Sequence, residues 1–211
     1  MFEEEDFLSI LLKPHRPTKQ GHIHIQVGLA LSFLCLALAP TQLPDTYNWI
    51  SQTTSEAAAQ MLNGAWLARL GFLLFGISVL VLTLKTDRWS YTAYLCHWWF
   101  STMMISTVAF SHKPWLADEP FDYFEDLLHF VTATLAGFAI AFGVVFQWWF
   151  RYRQSSLTKL FTLLSLFVVG TATFFPLLML WLTQWDGLLQ RGIFICAYVW
   201  YGHEAVKSNQ S

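Results

Sequence analysis

Apolar residues form six long segments along this chain of 211 residues, and polar residues separate them. Each segment supplies about 20 mostly apolar residues, the number that an α-helix needs to cross membrane hydrocarbon. The pattern therefore predicts an all-α polytopic membrane protein in which six transmembrane helices form one bundle. The predicted helices cover residues 23–39, 64–84, 90–110, 126–149, 157–181 and 187–206.

The composition agrees with this pattern. Hydrophobic residues make up 55% of the chain and charged residues only 12%, whereas a soluble domain carries about 25% charged residues. A net charge of −2 provides no basic field for nucleic acid. The 11 tryptophans lie toward the predicted helix ends, where an aromatic belt is expected. We therefore expect membrane lipids as partners and no nucleic acid.

Basic residues predict the orientation, because lysine and arginine accumulate on the cytoplasmic side. Nine lie on one side of the predicted bundle: Lys13, Arg16, Lys19, Lys85, Arg88, Arg151, Arg153, Lys159 and Lys207. Three lie on the other: Arg69, Lys113 and Arg191. We predict that both termini lie in the cytoplasm, with a cytoplasmic N-terminal segment, 1–22, a transmembrane domain, 23–206, and a cytoplasmic tail, 207–211.

The first apolar segment could also be a signal peptide, because Ala37-Leu38-Ala39 has the small residues of a cleavage site. Cleavage there would place Pro40 at the new N-terminus, and the leader would be long with an acidic start. We therefore interpret this segment as a true membrane span.

Polar and charged residues gather at the predicted outer helix ends, where charges near hydrocarbon usually find partners. Thr53 to Glu56 match a capping box that would open a short helix over about 54–62. In the fourth predicted helix, Glu125 and Asp126 lie four and three residues before His129, so both carboxylates can reach its imidazole. This arrangement suits an acid–base pair, or an acidic first turn that complements the helix dipole.

Of two arginines in this region, Arg69 lies about one turn into the second predicted helix and Arg191 opens the sixth. They could clamp helix ends by pairing with carboxylates such as Glu56, or form an anion-binding mouth for a phosphate or carboxylate headgroup. The candidate ligand-binding residues are Ser55, Glu56, Arg69, Glu125, Asp126, His129 and Arg191. His129 and Asp126 are also the candidates for catalysis, although the pattern favours a protein that is not an enzyme.

Histidines raise two further hypotheses. His112 could join His129 as a metal ligand, although no metal-binding motif spacing is present. His97 and His203, near the inner ends of two helices, could hold a b-type haem. Intramembrane histidines also hydrogen-bond between helices without any cofactor, and we expect no cofactor here.

Three short motifs carry a family resemblance. They are Ile50-Ser51-Gln52 through Ser55-Glu56 with Ala65-Trp66-Leu67 and Gly71 to Gly76, Asp126-Leu127-Leu128-His129, and Gly187-Leu188-Leu189-Gln190-Arg191. In this order the chain resembles an uncharacterised prokaryotic membrane-protein family, domain of unknown function 998. The resemblance implies a bacterial inner (plasma) membrane protein with six spans and an outer polar group matching Ser55, Glu56, His129 and Arg191. A more distant likeness in topology is to six-helix lipid-remodelling families of the GPI-anchor pathway.

Three functions remain open from the sequence. The first is a structural or partner-binding subunit that contacts another membrane protein, with the outer charges as helix clamps. The second is a protein that binds or processes a lipid headgroup or small anion through Asp126, His129 and Arg191. The third is a b-type haem redox subunit. The first is our preferred hypothesis.

Overall fold

The computed structural model describes residues 23–116 and 119–208, and this part of the chain is helical without any strand. The predicted N-terminal segment, 1–22, and residues 209–211 of the predicted tail lie outside the described residues. The helices are α1 (Ile23–Leu38), α2 (Thr54–Ala57), α3 (Ala65–Lys85), α4 (Tyr91–Ala109), α5 (Tyr123–Arg153), α6 (Lys159–Met179) and α7 (Asp186–Ser208).

Helix α2 begins as the capping box predicts but ends early. The Thr53 Oγ1 accepts from the Glu56 N–H at 3.1 Å, and the Glu56 Oε2 accepts from the Thr53 N–H at 2.6 Å. The predicted extension to about residue 62 is wrong. The next carbonyls, those of Ala58 and Ala59, accept instead from the Arg69 guanidinium, so they make no further helical turn.

Four helices in the described residues are long and apolar enough to cross a membrane: α1 with its 3-10 extension to Gln42, α3, α5 and α6. Helices α4 and α7 do not meet that standard. Polar residues within them, such as His97 in α4 and Arg191 in α7, lower their hydropathy. The structure thus identifies four candidate spans, and the crossing of α4 and α7 stays a prediction.

The six long helices form a ring in chain order. Helix α1 packs against α3, and α3, α4, α5, α6 and α7 follow as successive neighbours. The ring closes between α7 and α1, where the packing is thinnest. Aromatic rings fill its centre: Phe75, fully buried, stacks on Tyr198 with ring centroids 4.3 Å apart and meets Phe100 and Tyr201 edge-on.

The ring has two ends, which we name by the charged residue of α7 nearest to each. The Arg191 end carries the connections 39–64 and 180–185 and the described residues 110–116 and 119–122, and the Glu204 end carries the connections 86–90 and 154–158. Side chains from α7 contact a connection at each end.

The contact between α5 and α4 depends on Gly143. A Cβ added there would lie 2.9 Å from the His97 Cε1 and 3.1 Å from the Cys96 Cβ. His97 is fully buried, so its ring has little room to shift. We expect Gly143→Ala to lower the free energy of unfolding by about 1–3 kcal/mol.

Gly137, on the same helix, is the matched control because a Cβ there meets nothing within 4 Å. Gly137→Ala should leave stability unchanged or raise it by roughly 0.5–1 kcal/mol, the helical preference of alanine over glycine. Unfolding of the two variants in detergent checks this expectation, and equal effects would contradict it.

Candidate functional site

The segment of residues 47–57, here called the docked segment, lies directly on the first turn of α7. The Leu188 N–H donates to the Ile50 carbonyl at 3.0 Å. A Cβ on Gly187 would lie 2.2 Å from the Gln52 carbonyl oxygen and 2.5 Å from that of Trp49. Because no side chain fits in that space, the backbone contact requires glycine at position 187.

Arg191 holds the docked segment from the next turn of α7. Its Nη1 donates to the carbonyl oxygens of Trp49 at 2.7 Å, Gln52 at 2.9 Å and Gly187 at 3.0 Å. Its Nη2 donates to the Tyr47 hydroxyl at 2.7 Å. Every one of these acceptors is uncharged. The expectation that Arg191 pairs with a carboxylate is therefore wrong for the described residues, because main-chain oxygens of the docked segment and of α7 accept from the guanidinium instead.

Tyr47 extends this contact. Its hydroxyl donates to the Thr53 carbonyl at 2.8 Å, and its ring meets Trp115 edge-on with centroids 5.1 Å apart. Burial raises the pKa of the Tyr47 phenol, and the neighbouring Arg191 opposes that rise. The hydroxyl therefore keeps its proton at neutral pH and serves as donor and acceptor at once.

Gln190 of α7 bonds to Thr54 and Ser55 of the docked segment. Its Oε1 accepts from the Thr54 N–H at 2.8 Å, the Ser55 N–H at 3.3 Å and the Thr54 hydroxyl, and its Nε2 donates to the Ser55 Oγ at 3.3 Å. Ser55 and Glu56 therefore both lie in the docked segment that Gln190 and Arg191 contact, but Glu56 itself only caps α2. Gln190 was missing from the predicted site, although its place beside Arg191 in a polar motif was a signal.

The rest of the Arg191 end is held in the same way. Arg69 donates from Nε to the Ala58 carbonyl at 3.1 Å and from Nη2 to the Ala59 carbonyl at 2.8 Å, so its predicted pairing with a carboxylate is also wrong in this part of the chain. Gln60, 6% exposed, donates to the carbonyls of Ser111 and Asp122 and accepts from the Asp122 N–H at 2.7 Å. Sequence reasoning missed Gln60, whose partners are all main-chain atoms.

His129 lies in this region, but the two carboxylates predicted to reach it bond elsewhere. The Glu125 Oε1 accepts from the Ser111 N–H at 2.6 Å and the Asp126 Oδ1 from the Lys113 N–H at 2.8 Å. The His129 Nδ1 bonds to the Phe110 carbonyl at 2.7 Å. Helical spacing permits the carboxylate–imidazole contact, but the main-chain N–H groups of residues 111–113 attract the carboxylates instead.

The chemistry that His129 can offer depends on its own Nε2 and on the neighbouring His112 ring. Its Nε2 is buried and has no hydrogen-bond partner in residues 23–116 and 119–208. The His112 ring meets it edge-on with centroids 5.3 Å apart, and Asp126 lies 3.8 Å from the His112 Nδ1. Within the described chain, no group of three His, Cys, Asp or Glu side chains could hold a metal ion, so these two histidines lack a third ligand.

The predicted haem residues do not offer an axial site. His97 is fully buried, with its ring 4.3 Å from Trp89 and 5.1 Å from Trp200, centroid to centroid, and its Nδ1 2.8 Å from the Tyr201 hydroxyl. A Cβ on Gly143 would lie 3.0 Å from its Nε2. The imidazole is enclosed by rings and by the α5 backbone, so a porphyrin face has no room there. His203 lies instead beside Glu204, 3.4 Å away.

Glu204 forms the most buried charged contact of the Glu204 end, and sequence reasoning missed it. Its side chain is 3% exposed and accepts from the Arg151 Nη2 at 2.7 and 3.0 Å and from the Trp89 Nε1 at 2.8 Å. Gln147 accepts from the Ser90 N–H at 3.2 Å and donates to the Arg88 carbonyl at 2.8 Å. These contacts fasten the 86–90 connection to α5 and α7. The sequence signal for this contact was the position of Glu204, an acidic residue near the end of an apolar segment.

We expect Gly187→Ala to detach the docked segment from α7, because the new methyl group would overlap the carbonyls of Gln52 and Trp49. Hydrogen exchange at the Thr54 and Leu188 amides should accelerate by roughly tenfold or more as local opening becomes easier.

The control is Gly202→Ala in the same helix, where a Cβ meets nothing within 4 Å. Exchange at both amides should keep its native rate in that variant. Unchanged exchange in Gly187→Ala would show that the docked segment does not depend on the close approach.

The motifs of the docked segment and of the first turns of α7 are therefore in direct contact. Comparison with known proteins shows which family carries these motifs. No curated protein and no solved structure matches the chain. The family model described as "Protein of unknown function (DUF998)" matches residues 26–206, which confirms the resemblance seen in the sequence, and the chain belongs to this family.

Proposed function

We propose that this protein crosses a bacterial plasma membrane six times, with both termini in the cytoplasm and the Arg191 end outside. The ring of six long helices with connections at alternate ends supports this topology. So does charge: Lys85, Arg88, Arg151, Arg153, Lys159 and Lys207 belong to the Glu204 end, and Arg69, Lys113 and Arg191 to the other.

Within this topology the protein acts as a non-catalytic membrane subunit that offers a rigid outer surface to a partner protein. One observation carries this conclusion: Arg69 and Arg191 both donate to main-chain oxygens of the 39–64 connection, here called the outer connection. Guanidinium groups used in this way hold a loop in one conformation rather than an anion in a mouth. A surface fixed before binding loses less conformational entropy when a partner docks.

Exposed apolar side chains mark the part of this surface that a partner would contact. Met61 is 73% exposed and Trp49 is 49% exposed, and both belong to the outer connection that α7 and Gln60 hold in place. Partner interfaces are enriched in methionine and aromatic side chains of this kind.

A headgroup-processing protein is the second candidate, and one observation favours it. The His129 Nε2 is buried without a hydrogen-bond partner in the described residues and lies beside His112. A neutral imidazole with a free nitrogen can accept a proton. Against this candidate, the arginines that would hold the headgroup are engaged elsewhere, and Asp126 bonds to the Lys113 N–H rather than to His129.

The topology is tested with single cysteines in a cysteine-free background, labelled by an impermeant maleimide from outside. Asp87→Cys and Glu119→Cys flank α4, whereas Thr183→Cys precedes α7 and Lys207→Cys lies in its last turn. We expect label at positions 119 and 183 and none at 87 and 207 until the membrane is permeabilised. Label at position 207 in intact cells would show that α7 does not cross.

The partner function is tested with a photo-cross-linking amino acid in place of Met61 in native membranes. We expect one protein adduct of fixed mass. It should weaken in Gln60→Ala, which frees the outer connection from residues 111 and 122, and persist in Gly202→Ala. Absence of a protein adduct, or an adduct that ignores Gln60→Ala, would contradict a rigid docking surface.

A further inference from the structure

Two histidines at the Arg191 end hold their rings in the same way. The His129 Nδ1 lies 2.7 Å from the Phe110 carbonyl oxygen. The His112 Nδ1 lies 2.7 Å from the Lys113 carbonyl oxygen. A carbonyl oxygen only accepts hydrogen bonds, so each Nδ1 carries the proton. In a neutral imidazole the lone pair then lies on Nε2, and both histidines present the same bare nitrogen.

Neither Nε2 has a hydrogen-bond partner in residues 23–116 and 119–208. His129 is 2% exposed and its Nε2 is buried, so water does not reach this nitrogen either. A buried acceptor without a donor is costly, and a bound ion is one of the few reasons for its presence in a native fold. His112 differs, because its side chain is 28% exposed and its ring has room to turn toward a ligand of His129.

The two rings have the separation that one shared ion would give them. Their centroids lie 5.3 Å apart, and their planes make an angle of 87°. Two imidazoles that bind one tetrahedral ion through Nε2, with Zn–N lengths of about 2.0–2.1 Å, have centroids roughly 5 Å apart. No motif spacing links the two positions, because His112 precedes α5 and His129 lies within it. Only the fold brings the rings together.

We propose that His112 and His129 bind one divalent transition-metal ion, Zn²⁺ or Cu²⁺, through their Nε2 atoms. Imidazole suits these ions, whereas Mg²⁺ and Ca²⁺ prefer oxygen ligands. The main-chain carbonyls bonded to Nδ1 fix the tautomer of both rings, as the outer partners of metal-binding histidines usually do. Asp126, 3.8 Å from the His112 Nδ1, adds negative charge beside the His112 ring.

The ion keeps open positions. The described residues contain no group of three side chains that could hold a metal, so water takes the positions that the two imidazoles leave. Zinc sites with an open position expose the ion to other molecules, whereas closed sites only support the fold. Because His112 and Asp126 are both partly exposed, the open positions face solvent. The site therefore binds an exchangeable ion, and a donor atom of another molecule can replace a water.

The test titrates the full chain, purified in detergent without a polyhistidine tag, with Cu²⁺ and Zn²⁺ by calorimetry. We expect one ion per chain, with Cu²⁺ bound more tightly than Zn²⁺ and no binding of Mg²⁺. Electron paramagnetic resonance of the Cu²⁺ form should show nitrogen ligands. His112→Ala should weaken binding by at least roughly tenfold, the least that loss of an outer partner of a ligand costs. His203→Ala, at the Glu204 end, should not.

Thermal unfolding separates loss of the ion from loss of the fold. His129→Ala also removes the bond to the Phe110 carbonyl, so it lowers stability for a second reason. His112→Ala keeps that bond and is the sharper variant. An ion that binds only the folded state stabilises it. Zn²⁺ should therefore raise the melting temperature of the wild type and of His203→Ala, but not that of His112→Ala.

Two results would overturn the proposal. One is the absence of Cu²⁺ and Zn²⁺ binding at ion concentrations far above that of the protein. The other is binding that His112→Ala leaves unchanged, which would mark an adventitious ion at other residues. Neither result involves a partner protein. The cross-linking experiment at Met61 can therefore fail while the metal site stands, and the metal site can fail while the partner function stands.

Discussion

The whole structure depends on the pairing of polar side chains on α7 with the connections that face them. Polar groups that folding removes wholly or partly from water need hydrogen-bond partners within the protein. Gln190 and Arg191 therefore bond to the docked segment at one end, and Glu204 bonds to Arg151 and Trp89 at the other. The residues that make α7 less apolar than its neighbours are those that fix its ends.

This arrangement separates two tasks along one helix. The ends of α7 set the conformation of the connections, whereas its middle contributes Tyr198 and Tyr201 to the aromatic centre around Phe75. Aromatic rings keep the helix backbones apart while filling the space between them. The ends and the centre thus hold α7 in place, although its packing against α1 is the thinnest in the ring.

Several features of the fold could be predicted from sequence because they depend on local pattern. Apolar length located the six long helices, and the Thr53–Glu56 spacing located the cap of α2. The contacts at the site that could not be predicted from sequence have one physical cause. Main-chain atoms are partners of Arg191, Arg69 and Gln60. Because every residue has such atoms, no sequence motif predicts these contacts. The spacing of Asp126 and His129 permitted a contact, but the Lys113 N–H competed for the same carboxylate.

The chemistry at the Glu204 end was hidden for a different reason. Arg151 fitted the expected excess of basic residues on the cytoplasmic side, so nothing required it to be buried. Its partner Glu204 lies on a separate helix, 53 positions away. Only the fold brings the two together, and a buried pair of this kind is costly to break from either side.

The contact between Gln190 and Thr54 joins residues 136 positions apart, and this separation orders the assembly of the protein in time. At about 5–20 residues per second, roughly 7–27 s pass between synthesis of Thr54 and synthesis of Gln190. During that interval the carbonyls of Trp49 and Gln52 lack the Arg191 guanidinium, which donates to them in the folded protein. The Arg191 end therefore takes its final form only when the last helix is present, and a chain that stops before α7 lacks the side chains that hold the docked segment.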